Sequence, residues 1–381
     1  MTTQYLTSER SKFVIDDHVA YFNTAALSPV LSSVRAAAHA AVDRRSQPWT
    51  IGGTAWFDDV EDLRSLAARL LGVAATHVAF VPATSYGLAA VARNLSVKAG
   101  DRVLVLDGEF PSNYYTWHRL ARRTGAELVV VRPEAGQMWA DAIIDAVDER
   151  VAIASLPNVH WTNGRLIDLN RVAPVLRAAG SAFIIDASQS FGAMPLDVAT
   201  LKPDAIVSVG YKWLLGPYSL GYLYLDERLH DGEPLEENWI MRTGSEDFSS
   251  LIDYWDEYRP GAQRFDVGER SNFQLVPMAT AAIQQLREWT VPRIAEALQL
   301  RTNSIAEQAT ALGLSASPPE ARGPHMLGVE LPRKAARQVA AALDASRVVV
   351  SARGSSLRIA PHLHTTEQDI DRLMSVIASA L

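Results

Sequence analysis

Cysteine is missing from the 381-residue sequence, which excludes disulfide bonds, thiolate metal sites and a catalytic thiol within this chain. No apolar run is long enough to span a bilayer, and residues 1–17 are polar and lack the apolar core of a secretory signal. We therefore predict a cytoplasmic protein that does not bind membranes.

Positive charge is also scarce, because 36 lysines and arginines stand against 43 acidic residues, giving a net charge of −7. Without a broad basic surface, neither nucleic acid nor an anionic membrane is expected as a partner. No strand is followed by G-x-G-x-x-G, and G-x-x-x-x-G-K-[ST] does not occur, which disfavours a nucleotide-dependent oxidoreductase. The histidines show no metal-ligand spacing, so we predict no metal site.

Strands and helices alternate between residues 78 and 225, and the strands are nearly unbroken apolar runs. This pattern predicts an α/β fold whose parallel or mostly parallel sheet is covered by helices on both faces. Strands are predicted at 78–81, 102–106, 127–131, 151–155, 182–186, 205–209 and 221–225, and helices at 32–45, 56–71, 83–95, 113–124, 139–147 and 170–179.

The pattern changes beyond residue 260. We predict one long helix from about 276 to 310, followed by short strands near 326–331 and 356–360 with helices between and after them. A chain of this length favours one large and one smaller domain, and we place the boundary within 255–275.

Lys212 lies where the apolar strand 205–209 breaks into a turn bounded by glycines and Pro217. A lysine that loses water on several sides has a lowered pKa and can attack an aldehyde. An isolated lysine beside a strand end is more often a solvated surface group. Lys212 is therefore a candidate nucleophile that needs a partner.

Asp186 supplies that partner, because it ends the apolar strand 182–186. In a parallel sheet both residues emerge at the carboxyl edge, where open α/β folds bind ligands. The pair suits pyridoxal phosphate (PLP), since lysine holds the cofactor aldehyde as a Schiff base and aspartate keeps the pyridine nitrogen protonated. Taken alone, Asp186 is better explained as a turn residue that caps the next helix.

A phosphate site is predicted after strand 78–81, where Thr84 or Ser85 can cap the following helix. The free N–H groups and the dipole of a helix N-terminus attract anions. Tyr211 could donate its hydroxyl group to the same phosphate. Caps of this kind are common and most bind no ligand, so the motif gains weight only from the residues around it.

Two further residues have a direct physical interpretation. Arg358 follows a short strand, and its guanidinium group can bind a carboxylate with two hydrogen bonds, although an ion pair between domains is the common alternative. Phe110 offers an apolar face to a cofactor ring, although most phenylalanines serve core packing.

Taken in order, these segments resemble the class V aminotransferase family of fold-type I PLP enzymes, which includes cysteine desulfurases and kynureninases. The resemblance covers most of the chain and is carried by YFNTAA at 21–26, ATS at 83–85, EFPSN at 109–113, DASQ at 186–189, YK at 211–212 and LRIAPH at 357–362. It implies a large domain with a mainly parallel, seven-stranded-type sheet and a small α+β C-terminal domain. We expect residues 21–260 to form the large PLP-binding domain and 261–381 the small domain, with residues 1–20 packing against the small one.

The resemblance also implies roles around the cofactor ring. Lys212 would form the Schiff base and Asp186 would contact the ring nitrogen. Phe110 would stack on the ring. Desulfurases carry histidine at this position, and in this respect the chain is more similar to kynureninases. Asn158 would lie near the cofactor hydroxyl group, and Gln189 would reach the ring oxygen.

On the substrate side, the resemblance implies that Arg358 holds the α-carboxylate of an amino acid. Asn23, in the opening motif, and His160, two residues after the predicted cofactor asparagine, are further candidates for substrate binding. Arg270 lies in a loop where relatives carry Gly-Thr and reach the phosphate of the neighbouring subunit. It could bind phosphate or an acidic substrate side chain, and Arg353 is a second candidate for that substrate contact.

The reaction is not decided by these shared residues. Desulfurases need a cysteine on a mobile loop, so their activity is ruled out here. We predict a transaminase first and a PLP-dependent C–S β-lyase second, with kynureninase-type hydrolysis and epimerisation also consistent with the motifs. A PLP-binding regulatory protein without turnover is the alternative of another class. The family further implies a homodimer with the active site at the subunit interface.

Overall fold

The computed structural model describes residues 6–381. Its strands are β1 (Ala20–Tyr21), β2 (Val78–Val81), β3 (Arg102–Leu106), β4 (Glu127–Val131), β5 (Val151–Pro157), β6 (Ala182–Asp186), β7 (Ala205–Val209), β8 (Gly221–Leu225), β9 (Ser315–Ala316), β10 (Leu327–Glu330), β11 (Val348–Val349), β12 (Ser351–Arg353) and β13 (Ser356–Ile359).

The α-helices are α1 (Ser32–Arg45), α2 (Asp58–Leu71), α3 (Thr84–Asn94), α4 (Pro111–Thr124), α5 (Trp139–Ala146), α6 (Leu169–Ala179), α7 (Val198–Leu201), α8 (Leu275–Trp289), α9 (Val291–Ala311), α10 (Ala336–Ala345) and α11 (Glu367–Ala380).

The large sheet has seven strands in the order β2-β8-β7-β6-β5-β3-β4. Strand β8 is antiparallel to both of its neighbours, and the other pairs are parallel. The prediction of a mainly parallel sheet is therefore confirmed. The strands lie close to their predicted bounds because a strand buried on both faces leaves a continuous apolar run in the sequence.

Helices cover both faces of this sheet, and alternate residues of each strand point to opposite faces. Val103 and Val105 of β3 pack in one apolar cluster with Trp117 of α4. Leu104 and Leu106 pack in the other cluster, to which α2, α5, α6 and α8 contribute. The seven strands are thus enclosed between two apolar layers, and their ends are left to carry the polar groups.

A second, four-stranded antiparallel sheet has the order β12-β13-β10-β9. Its apolar face packs with α9, α10 and α11 in a separate core, which matches the predicted α+β arrangement of this region. Strand β1 pairs with β11, and Arg10 forms a 3.0 Å ion pair with Asp369 of α11. Residues 1–5 of the N-terminal segment, expected to pack here, lie outside the described residues, and the domain bounds stay a prediction.

The prediction of one long helix from about 276 to 310 is wrong. Helix α8 ends at Trp289, Thr290 takes a left-handed φ of 63°, and α9 begins at Val291. Pro292 lies in the first turn of α9, where its missing N–H would have no partner in any case. In a continuous helix the same proline ring would clash with the preceding turn, so the chain breaks just before it. Within residues 6–381, none of the helices combines the length and the apolar character required to cross a membrane.

Candidate active site

Polar side chains gather at the carboxyl edge of the large sheet. Asp186 is the last residue of β6, Asn158 directly follows β5, and Lys212 lies just beyond the end of β7. Because these three strands are parallel, their carboxyl ends meet at one edge. A cavity of about 450 Å³ opens there, and it is lined by these predicted site residues: Thr84, Ser85, Phe110, Asp186, Gln189, Tyr211 and Lys212.

A larger cleft of about 640 Å³ lies at the opposite edge of the sheet. Its lining includes Ser181 and Asp204, which directly precede β6 and β7. The predicted site residues do not line it. This cleft is larger than the cavity at the carboxyl edge, but the groups with reactive chemistry lie at the carboxyl edge.

The turn after β7 positions Lys212 through close backbone contacts. The Gly210 N–H donates to the Leu220 carbonyl group, and the Gly216 N–H donates to the Gly210 carbonyl group, each at 2.9 Å. A Cβ atom at Gly210 would lie 2.5 Å from the Leu220 carbonyl oxygen, so the turn has room only for glycine. The backbone therefore fixes where the lysine side chain leaves the sheet.

Lys212 is buried, with 8% of its surface exposed. Burial lowers the pKa of its amine to about 8, the charge of Asp186 acts in the opposite direction, and the charge of Arg358 lowers it further. Its Nζ lies 5.4 Å from the centroid of the Phe110 ring and 5.8 Å from that of Tyr211. An amine with this pKa is partly neutral near neutral pH and can act as a nucleophile.

Asp186 is also buried, and burial raises the pKa of its carboxyl group. Hydrogen bonds from Ser188 and the positive charge of Lys212 oppose that effect. The Ser188 N–H donates to Asp186 Oδ1 at 3.0 Å. The carboxylate is thus held by its own turn and remains available to a positively charged group in the cavity.

The N-terminus of α3 forms another wall of the cavity. Helix α3 begins at Thr84, and Ala83 before it provides no side-chain cap, so the N–H groups of Thr84 and Ser85 are available to an anion. Thr84 Oγ1 lies 3.0 Å from Ser188 Oγ. The Tyr211 ring lies 4.5 Å from that of Tyr218, which also lines the cavity. This wall concentrates hydroxyl and N–H donors, which are the groups that bind a phosphate.

Two amides differ in how they are bonded. Gln189 Nε2 donates to the Ala25 carbonyl group at 3.0 Å, and its Oε1 accepts from Trp213 Nε1 at 2.9 Å. Both ends of that amide are therefore occupied within the protein. Asn158 Oδ1, in contrast, is buried without a hydrogen-bond partner, which is costly unless a ligand supplies one.

Arg358 lies on β13 with 2% of its surface exposed. Its Nη1 donates to the Trp161 carbonyl group at 2.9 Å and its Nη2 to Asn23 Oδ1 at 3.2 Å, while its Nε has no partner. Burial lowers the pKa of the guanidinium group to about 10, and the charge of Arg353 contributes to the shift. Two hydrogen bonds thus orient a buried cation that still has a free donor.

Six of the predicted site residues do not line this cavity: Asn23, Asn158, His160, Arg270, Arg353 and Arg358. Of these, Arg270 and His160 are bonded elsewhere. Arg270 Nη1 pairs with Glu61 and Asp266 at 2.8 Å each, in a buried cluster that Arg64 joins. His160 contacts Thr162 Oγ1 at 2.7 Å and the Asp107 carbonyl oxygen at 3.0 Å, and its ring stacks on Trp139. Within the described part of this chain, both side chains already have structural partners.

Glu109 is a residue of the cavity to which sequence reasoning assigned no role. It lines the cavity, and burial together with the Asp186 charge raises the pKa of its carboxyl group to about 8. Its Oε1 accepts from the Phe110 N–H at 2.7 Å, and its Oε2 is buried without a partner. Its position just after β3, at the same sheet edge as Asp186, was the available signal.

Trp161 is the second missed residue. Its ring packs edge-on against Phe110 with centroids 5.4 Å apart, and its Nε1 donates to the Gly108 carbonyl group at 2.8 Å. Its own carbonyl group orients Arg358. A backbone carbonyl group leaves no signature in a sequence, so this contact could be found only in three dimensions.

Comparison with known proteins gives a consistent result. The sequence model of the family described as Aminotransferase class-V matches residues 25–373. An uncharacterised aminotransferase of Bacillus subtilis strain 168, YcbU, is 26% identical over 334 residues, which are 86% of this chain and 86% of that protein. A probable cysteine desulfurase of Pyrococcus abyssi is 29% identical over 240 residues, 58% of this chain and 57% of that protein.

Solved structures show the same architecture. A variant of C-DES with glycine covalently linked to its PLP cofactor has a TM-score of 0.87 at 20% identity, and the alignment covers 98% of this chain and all of that one. At this level of identity the similarity concerns the fold. The predicted fold-type I architecture is confirmed.

Proposed function

Because this chain belongs to the class V aminotransferase family, whose model matches residues 25–373, we propose that it is a PLP-dependent transaminase acting on an amino acid through Lys212. One observation supports this proposal above all. A buried lysine with a pKa of about 8 and a buried aspartate share one cavity at the carboxyl edge of a parallel sheet. These are the groups that the aldehyde and the ring nitrogen of PLP require.

PLP is the cofactor of this family, and the donors of the cavity fit it. Lys212 would bind the aldehyde, Asp186 the pyridine nitrogen, and the N-terminus of α3 at Thr84 the phosphate group. The Phe110 ring would cover one face of the cofactor. The unpartnered Asn158 Oδ1 offers an acceptor for the cofactor hydroxyl group. When bound, PLP withdraws electrons from the α-carbon of the substrate.

The remaining work would fall to the side chains of this chain. Arg358 would bind the α-carboxylate of the substrate, with its guanidinium orientation fixed by Trp161 and Asn23. The Lys212 amine would take a proton from the α-carbon and donate one to the former aldehyde carbon of the cofactor, since its pKa of about 8 suits both steps near neutral pH. Asp186 would stabilise the positive charge of the protonated pyridine nitrogen throughout the cycle.

Two parts of the proposal concern what the protein is not and how it assembles. The sequence has no cysteine, which supports the proposal that it is not a desulfurase that transfers sulfur to its own thiol. A C–S β-lyase would use the same side chains and is the second candidate. The homodimer and the cytoplasmic location stay predictions, and sedimentation of the purified protein tests the first of them.

The test is a visible spectrum of the PLP-loaded protein, recorded without oxygen and without keto acid, on addition of L-amino acids and S-conjugates in turn. Conversion of the bound cofactor to its pyridoxamine form supports transamination. If the visible absorption band of the bound cofactor persists while ammonia and a keto acid accumulate in solution, the result supports the lyase. If the amino acid is converted to its enantiomer without release of ammonia, the result supports an epimerase. If borohydride reduction attaches no more cofactor to the PLP-loaded wild-type protein than to Lys212→Ala, the proposal is wrong.

A further inference from the structure

Two arginines of the small antiparallel sheet stand close together without a carboxylate. Arg353 ends β12 and Arg358 lies within β13, on adjacent strands of one hairpin. Their positive charges act on each other, since Arg353 contributes to the lowered pKa of Arg358. Within residues 6–381, neither guanidinium group forms an ion pair.

The surrounding residues do not neutralise this charge. Arg353 Nη1 donates only to the neighbouring Ala352 carbonyl group, at 2.9 Å. Glu330, on the adjoining strand β10, accepts from Ser355 Oγ at 3.5 Å and forms no ion pair with Arg353. Two neighbouring cations, one of them buried, are unfavourable unless an anion binds between or beside them.

Trp161 connects both arginines to the Lys212 cavity. Its carbonyl group accepts from Arg358, and its ring lies 5.4 Å from the guanidinium carbon of Arg353. The same ring packs against Phe110, whose own ring lies 5.4 Å from Lys212 Nζ. Neither arginine lines the cavity itself, but both contact Trp161, which does: Arg353 is exposed and Arg358 is buried.

A guanidinium group that rests on an aromatic face keeps its N–H edge free. Trp161 therefore positions Arg353 without using the hydrogen-bond donors that would bind an anion. The arrangement provides two cations that can bind a carboxylate at different depths: an exposed guanidinium group with its N–H edge free, and a buried one with an unpartnered Nε–H. A substrate that satisfied both would carry an anionic group at each end.

We propose that the substrate is an amino acid whose side chain ends in a carboxylate, which Arg353 binds while Arg358 holds the α-carboxylate. This inference rests on the proposed function, because it takes the role of Arg358 from there. It adds the chemical class of the side chain, which the shared family residues do not determine. Arg353 is then a residue for specificity rather than for the chemical step.

The test compares acidic amino acids with their neutral amides: glutamate with glutamine, and aspartate with asparagine. The concentration that half-saturates the change in the visible spectrum is measured on the PLP-loaded wild-type protein and on Arg353→Gln. The matched control is Arg337→Gln, an exposed arginine of α10 whose guanidinium group does not lie over the Trp161 ring. We expect the wild-type protein to favour at least one acid over its amide by about tenfold, as for a partly desolvated ion pair.

Arg353→Gln should lose that preference, because its binding of the acid weakens while its binding of the amide is unchanged. Arg337→Gln should retain the preference. A second readout needs no reaction: calorimetric binding of glutarate should exceed that of butyrate in the wild-type protein and in the control, but not in Arg353→Gln. Equal response to acids and amides, or a preference that survives Arg353→Gln, overturns the inference and leaves the proposed function intact. A PLP-loaded protein that responds to no amino acid overturns both.

Discussion

The Asp186 and Glu109 carboxyl groups face the same cavity, where burial together with the charge of Asp186 raises the pKa of Glu109 to about 8. The effect is one-sided, because Glu109 does not contribute to the raised pKa of Asp186. This is expected when two coupled acids titrate in sequence, since Glu109 is still neutral when Asp186 ionises. Of the two buried acids, Asp186 is therefore the one that ionises at the lower pH.

The raised pKa of Glu109 predicts a pH-dependent loss of stability. In the unfolded chain a glutamate ionises near pH 4.3, whereas in the folded protein it stays protonated up to about pH 8. Folding therefore holds a proton that the unfolded state has released. The contribution of Glu109 to the free energy of unfolding is greatest below the unfolded pKa. It falls as pH rises to about 8 and is constant at higher pH.

Glu109→Gln removes the ionisable group and keeps its shape. Urea unfolding across this pH range should show the variant gaining stability relative to the wild-type protein as pH rises. The control Glu149→Gln, at an exposed position before β5, should show no such trend. Parallel curves for the wild-type protein and Glu109→Gln would mean that the carboxyl group is solvated and ionised like any other.

Lys212→Ala should abolish covalent attachment of the cofactor. Borohydride reduction of the PLP-loaded wild-type protein should add the mass of the cofactor to the chain, and this addition should be absent from the variant. We also expect the turnover number to fall by about 10²–10⁴-fold or more, as is typical for loss of a general acid–base group. Lys98→Ala, at an exposed position before β3, should behave like the wild-type protein in both assays. If borohydride reduction added the cofactor mass to Lys212→Ala as well, the reactive amine would be another group of the chain.

Asp186→Asn should lower the turnover number while leaving the protein folded, because the amide keeps the size of the carboxyl group but not its charge. The Asp186 charge raises the pKa of Lys212, so its removal should lower that pKa further below about 8. The pH dependence of cofactor attachment measures this shift. An unchanged pKa would mean that Asp186 is already neutral in the wild-type protein.

Much of the sheet could be predicted because buried parallel strands leave apolar runs whose ends share one edge. That logic placed Asp186 and Lys212 in one cavity without three-dimensional information. The break before Val291 was missed because apolar helical periodicity continues through both α8 and α9, and only Pro292 signals it. The surroundings of His160 depend on the Asp107 carbonyl group, which is distant in sequence and invisible to any residue pattern.

Arg358 illustrates a conflict between function and stability. Its buried charge has no carboxylate partner, which is a net cost to the folded state before substrate binds. Arg358→Met should therefore leave the free energy of unfolding unchanged or raise it by about 1 kcal/mol. The same variant should raise the KM of any amino acid substrate by at least about tenfold, since a charged hydrogen-bond partner of the carboxylate is lost. Loss of stability in urea, with KM unchanged, would identify Arg358 as a structural residue only.

The ion cluster around Asp266 should be one of the main electrostatic supports of the fold. The Asp266 carboxylate accepts from Arg64 and Arg270, and it also accepts from the Phe80 N–H at 2.7 Å. Asp266, Arg64 and Arg270 have side chains with no exposed surface. Removing the charge of Asp266 leaves two buried guanidinium groups with only Glu61, which is partly exposed, to balance them.

Asp266→Asn should therefore lower the free energy of unfolding by about 3–5 kcal/mol, as expected when one partner of a buried ion cluster is removed. The matched control is Glu233→Gln, which breaks the exposed ion pair between Glu233 and Arg93 and should cost less than about 1 kcal/mol. Urea unfolding of both variants at one pH measures the difference. Equal small losses would mean that Asp266 adds little to stability, and Arg64 and Arg270 would then require another source of compensation. Such a result would also return Arg270 to consideration as a residue that serves a phosphate of the neighbouring subunit.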